Sequence, residues 1–240
     1  MTDEAGGELE PSAESTPERI LRAALEKAVA LQQSSVRNYV RRLRRAHPDA
    51  TPKDIIGDLE TKYLIAASTS GGSVGTIAVI PGVGTGAALA LSAAETAFFV
   101  ETTALFTLAV AEVHGLPVYD LERRRTVLMA VLLGRSGTEV IRKAAPRTSR
   151  HWAKAITAAI PAQSIRNINK VLGHNFLTKY GTRQGVLVLG RALPMGIGAA
   201  IGGTAGALMS NGVMKATEIA YGKPPVDWPS TAPSPDDPDE

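Results

Sequence analysis

The chain contains no cysteine. That excludes disulfides, thiolate metal sites and a cysteine nucleophile. Aromatic residues make up only 5% of it, leaving little ring surface for stacking bases or sugars. The four histidines, His47, His114, His151 and His174, are scattered. None stands in the Glu-x-x-His spacing of helical-bundle metal sites, so no metal or other cofactor is expected. Period-2 alternation of apolar residues is nearly absent, which predicts an all-α fold. No internal repeat of solenoid length and no Walker A pattern occurs.

Alanine is abundant instead, at 36 of 240 residues, within a hydrophobic content of 44%. Such a composition packs backbones closely through small side chains. The length fits one helical domain over residues 18–221. Residues 1–17 carry five acids and no base, with almost nothing to bury, and are expected to be a disordered tail. Residues 222–240 hold six prolines and five acids and are expected to be a second disordered tail, in which Trp228 alone could dock. No basic region followed by an apolar run opens the chain, so a cytoplasmic protein is expected.

Charge is strongly segregated. Residues 18–46 carry a net +6, residues 47–121 a net −6, and residues 122–191 a net +12, although the whole chain carries only +3. Basic segments between acidic ends indicate an anionic partner, or tails that lie back on the body. Solvated basic faces that keep an alanine-rich protein in solution account for the same pattern. Two arginine clusters are the candidate lipid- or anion-binding residues: Arg41, Arg42, Arg44 and Arg45, then Arg123, Arg124 and Arg125. Part of the first cluster suits a helix C-terminus without any partner.

Apolar spacing predicts a first helix from Glu18 to about Ala46, stopped by His47-Pro48. Thr51, Pro52 and Asp54 read as N-cap, first helical residue and N3 acid of a second helix reaching about Ala67. A short apolar helix after Gly75, a break at Pro81-Gly82, and a long apolar helix over 84–113 follow. Gly115-Leu116-Pro117 ends that helix. Residues 120–134 read as an amphipathic helix ending at Gly134. Shorter helices punctuated by Pro146, Pro161, Gly173 and Gly181 come next. Residues 185–189 fit a strand or a helix, and a last helix reaches about Tyr221.

Two stretches carry no charge, 63–94 and 192–214. Both are long enough to span a bilayer, but both are rich in Gly, Ser or Thr rather than Leu, Ile or Phe. Gly198, Gly202 and Gly206 recur every four residues, and Gly82 and Gly86 repeat the step. On a helix this clears one face for close backbone approach, as in a glycine zipper. A tightly packed hairpin is favoured over a membrane-spanning one, and conditional insertion stays open. Three acids, Glu95, Glu101 and Glu112, lie on the apolar long helix, with Glu101 and Glu112 about 20° apart around its axis. As buried carboxylates they need partners, and bases such as Arg135, Lys143 or Arg191 are expected.

Two motifs imitate catalytic sites. Gly71-Gly72-Ser73-Val74-Gly75 fits the nucleophile elbow, with Asp120 and His151 in the right order, but the strands that the elbow requires are missing. Gly82-x-Gly84-x-x-Ala87 imitates a dinucleotide fingerprint, but the acid at the right distance, Glu101, falls inside a helix. No catalytic residue is assigned.

The order of these features resembles the EcsC family, a bacterial group. The resemblance rests on the glycine-rich segment 70–86, Ala94-Glu95-Thr96-Ala97, and Ala111-Glu112-Val113-His114-Gly115. Beyond these lie Ile168-Asn169-Lys170, Arg191-Ala192-Leu193-Pro194 and Gly196-Ile197-Gly198-Ala199-Ala200-Ile201-Gly202-Gly203. It covers residues 60–221. Two positions depart from the pattern: His114 stands where an aromatic residue precedes the glycine, and 203–206 lacks an asparagine. The resemblance implies a helical, membrane-associated protein without established chemistry. The leading expectation is therefore a non-enzymatic protein docking on anionic lipid or on a membrane protein. The alternatives are nucleic-acid binding through 122–191 and a serine hydrolase using Ser73.

Overall fold

The computed structural model describes residues 16–77, 85–146, 151–191 and 197–236, with side chains over 18–67, 94–146, 151–180 and 208–236. The described residues form eight α-helices and one π-helical turn, with no strand. The helices are α1 (Thr16–Val29), α2 (Gln33–Ala46), α3 (Pro52–Ile77), α4 (Thr85–Val113), α5 (Leu121–Leu133), α6 (Arg135–Ala144), α7 (Ala162–Arg191) and α8 (Ile197–Tyr221). The π turn, Ala155–Ala159, precedes α7.

Helix α4 is central. It packs against α1, α2, α3, α5, α7 and α8. Residues Val100, Ala104, Phe106, Leu108, Ala109, Val110, Ala111 and Val113 are all buried along it. The segment Ala94–Val113 is, among the described residues, the one helix long and apolar enough to cross a membrane, and 67% of it is buried inside the protein. A helix apolar on every side belongs in a core or in lipid, and here neighbouring helices cover it. Helix α3 lies along both α4 and α8, and α5 lies along α7. Tyr63 of α3 stacks on Phe106 of α4 at 4.7 Å, and its hydroxyl shares a 2.9 Å hydrogen bond with Thr103.

Local signals set several ends. Asp54 accepts from the Thr51 backbone N–H at 2.9 Å, and the Asp54 N–H donates back to the Thr51 hydroxyl at 3.3 Å. That is the capping box at the start of α3. Asp120 caps α5 by accepting from the Arg123 N–H at 2.8 Å. Gly115 ends α4 with φ +65°, and Gly134 ends α5 with φ +66°.

Other boundaries depart from the sequence reading. The expected first helix is two, broken between Val29 and Gln33. Helix α3 continues through Gly71, Gly72 and Gly75 to Ile77. The expected short segments after Pro161 are one helix, α7, with Gly173 and Gly181 inside it. Residues 185–189 are helical within it. Helix α5 is not amphipathic: from Thr126 to Leu133 every residue is buried. Burial of small and apolar side chains outweighs the cost of about 1 kcal/mol for each interior glycine.

The expected free C-terminal tail differs as well over 222–236. Trp228 donates from Nε1 to the Ala50 carbonyl at 3.2 Å, and Thr231 donates to the Gly115 carbonyl at 2.9 Å. Ala232 is buried. The segment is irregular, as its prolines demand, but it is laid across the body by side-chain bonds. Residues 1–15 and 237–240 lie outside the described residues.

Gly115 joins these two features. A Cβ there would stand 2.3 Å from Thr231 Oγ1 and 2.7 Å from Pro229 Cβ. Gly115→Ala is expected to cost about 1–2 kcal/mol for the left-handed backbone, and to displace the C-terminal segment besides. Thermal unfolding should show the loss. Acrylamide should quench Trp228 more readily, with buried Trp152 as internal reference.

Candidate anion-binding surface

The arginines at the start of α5 are spaced 100° apart around the helix and point three ways. Arg123 donates from Nη1 to the Ile156 carbonyl and from Nη2 to the Ile160 carbonyl at 2.9 Å, closing the end of the π turn. Arg125 pairs with Glu26 of α1 at 2.6 Å. Arg124 points inward and is 3% exposed. Its Nε and Nη2 donate to the Val118 carbonyl at 3.0 and 2.8 Å. Nη1 donates to the Val29 carbonyl at 2.9 Å and also to the Leu31 carbonyl. Nη2 reaches Gln33 Oε1 at 2.7 Å, and Gln33 Nε2 donates to Glu112. Arg124 is therefore removed from the candidate surface, and Arg123 and Arg125 are engaged within the fold.

The α2 arginines are likewise divided. Arg41 is buried and donates to Asn38 on its own helix. Arg44 lies 3.8 Å over the Trp228 ring and donates to the Pro233 carbonyl. Arg45 donates from Nε to the Pro235 carbonyl at 2.6 Å. Arg42 is exposed. Part of this cluster thus holds the C-terminal segment, through backbone carbonyls and the Trp228 ring rather than through the acids of the tail.

Of the three acids on α4, only Glu112 is fully buried. Glu101 pairs with Lys27 of α1 at 2.7 Å, and its side chain is 31% exposed. Glu95 is half-buried. Of the expected bases from 122–191, Arg135 pairs with Glu139 at 3.2 Å, Lys143 is exposed and the Arg191 side chain lies outside the described residues, but Arg124 of that segment reaches Glu112 through Gln33. Glu101 meets α1 through Lys27, and Glu112 meets α2 through Gln33. Burial raises Glu112 above the usual carboxylate range, opposed by Gln33, Arg37 and Arg124. Burial lowers Arg124, opposed by Glu112. Burial of His114 holds its imidazole down at about 4, helped by His151. Tyr221, its ring 5.5 Å from that of His114, is pushed up by burial.

Ser73 lies inside α3 rather than at a strand-to-helix turn. Gly82 and Gly84 lie outside the described residues, and Gly86 is in the first turn of α4. Gly198, Gly202 and Gly206 fall on α8, which packs along α3, but what those glycines touch lies outside the described side chains. Among the described residues, no three acids or histidines converge as metal ligands would.

One cationic site comes from tertiary structure alone. Helices α1, α5 and α7 enclose a groove of about 570 Å³. Arg166, Lys170 and His174 line its α7 wall at four-residue steps. Arg22 and Arg125 line the opposite side, and Met129 and Phe176 form a buried floor. Its two acids are already held, Glu26 by Arg125 and Glu122 by Asn169 Nδ2 at 2.8 Å. The stripe at 166, 170 and 174 was visible in the sequence as helical spacing. Its position opposite Arg22 was not.

Breaking the Arg124 cluster has a calculable cost. Arg124→Ala leaves three carbonyls without their donor and removes one of the two arginines near Glu112. It is expected to destabilise the fold by about 3–5 kcal/mol in urea unfolding. Arg124→Lys should recover little, since one ammonium cannot reproduce the planar fork. His114 gives a pH signature. Its folded value, about 4, lies below the ordinary 6.5, so the unfolded chain binds more protons between those values. The stability from keeping it neutral is complete above pH 6.5 and is lost as pH falls towards 4. Relative to His114→Phe, the wild type should lose about 2–3 kcal/mol across that window, read from unfolding curves at each pH.

Comparison of the chain with protein-family models, with characterised proteins and with solved structures gives no match in any of the three.

Proposed function

We propose that this is a non-enzymatic protein that docks from the cytoplasmic side on an anionic membrane surface, by charge rather than by spanning. The observation that carries this reading is the collection of Arg22, Arg166, Lys170 and His174 around one groove, where the four bases Arg22, Arg125, Arg166 and Lys170 outnumber the two acids Glu26 and Glu122. Exposed Arg42, Arg142 and Lys143 add positive charge elsewhere on the body. Each base near an anionic headgroup layer contributes about 1 kcal/mol. The burial of 67% of Ala94–Val113 inside the protein supports docking over insertion of that segment. The resemblance to the EcsC family points the same way. A hydrolase reading has less support, since Ser73 lies in a helix interior.

Vesicle flotation tests the reading. Recovery should require phosphatidylserine and should vanish in 1 M salt, where the screening length falls to about 3 Å. Arg166→Glu combined with Lys170→Glu should reduce recovery several-fold with unfolding unchanged. Equal recovery with neutral and anionic vesicles, or none with either, would overturn it.

A further inference from the structure

We propose that the α1–α5–α7 groove is a discrete binding site for a phosphate monoester carried on an apolar group. This deepens the surface-docking reading by assigning a ligand class to the same groove, and it rests on that reading for its membrane source. Several observations support it independently of diffuse charge. The groove volume, about 570 Å³, is that of a small-ligand site. Its chemistry is two-sided, with cationic groups around the mouth and an apolar side made by half-buried Leu177 over buried Leu25, Met129 and Phe176. Among the described residues, no hydrogen bond or ion pair engages the Lys170 ammonium, so a donor is available to an incoming anion. A dianionic phosphate would lie among like charges that otherwise repel one another. Arg125 pairs with Glu26, and Asn169 donates to Glu122, so two side chains of the groove wall have partners within the fold.

Gly173 provides the means of testing. It lines the groove between Lys170 and His174, and a Cβ added there would meet nothing within 4 Å. A Cβ at 173 stands in open space on the groove wall, so a longer side chain there is expected to extend into the groove, and replacing a mid-helix glycine favours the helix. Gly173→Gln is thus a neutral plug that leaves every charge in place. Lys170→Glu changes the charge and leaves the shape nearly the same.

The probes are dihexanoyl phosphatidic acid below its micellar concentration, phenyl phosphate, and dihexanoyl phosphatidylcholine as the zwitterionic control, each titrated calorimetrically into the full chain. Both phosphate monoesters should bind, and phosphatidylcholine at least tenfold more weakly. Gly173→Gln and Lys170→Glu should each weaken monoester binding at least tenfold, with the thermal midpoint unchanged or raised. If Gly173→Gln also abolishes flotation on vesicles containing phosphatidic acid, the ligand is a lipid headgroup. If flotation survives while monoester binding is lost, the groove serves a soluble phosphate ester and surface docking stands without it. If no vesicle recovers the protein but the soluble monoesters bind, the groove stands and the docking reading fails. The groove assignment is overturned if neither monoester binds, if phosphatidylcholine binds equally well, or if the plugged variant binds as the wild type does.

Discussion

A single buried guanidinium holds this fold's connections together. Arg124 gathers the carbonyls of Val29, Leu31 and Val118, then reaches Glu112 through Gln33. The α1–α2 turn, the α4–α5 turn, the first residue of α2 and the end of α4 therefore meet at one side chain. A charge this deep is tolerated only when its donors are satisfied. Five N–H groups in a planar fork can meet several carbonyls at once, which an ammonium cannot. The same requirement explains why the chain breaks between Val29 and Gln33. The carbonyls there turn out of the helical ladder to face Arg124.

Around that point, small side chains set the packing. Helix α4 is enclosed by six neighbours, and Ala104, Ala109 and Ala111 let them approach. Where α5 meets α6 the fit is tighter still: a Cβ on Gly137 would lie 2.4 Å from the Ala130 carbonyl oxygen. With so little aromatic mass, each ring in the core has a defined place. Trp152, fully buried, donates to Thr138 at 3.3 Å, and Tyr180 donates to the Leu132 carbonyl at 2.7 Å at the end of α5. Lys179 closes the adjacent Leu133 carbonyl at 2.8 Å.

Positive charge is used in two ways. Arg123, Arg124, Arg125, Arg44 and Arg45 bind the protein's own carbonyls, carboxylates or rings. Arg22, Arg166 and Lys170 line one groove, and Arg166 also donates to Gln163 of its own helix at 2.5 Å. Composition treats both groups alike, because net charge per segment records neither direction nor depth. A run such as Glu122-Arg123-Arg124-Arg125 reads as a basic patch in one dimension, but helical geometry sends each arginine to a different neighbour.

What the sequence determined by itself was local: the all-α class, the capping box at Thr51-Pro52-Asp54, and the glycine ends at 115 and 134. The shared side of Glu101 and Glu112 was also fixed there. These depend on residues within one or two turns of each other, so their physics is complete in a short window. Only the tertiary structure decided that α3 and α7 run on through their glycines, that Arg124 is buried, that 222–236 lies across the body, and that Arg22 and Lys170 line one groove. Each of those outcomes is set by burial and by pairing between residues far apart in the chain, and no local propensity contains that free energy.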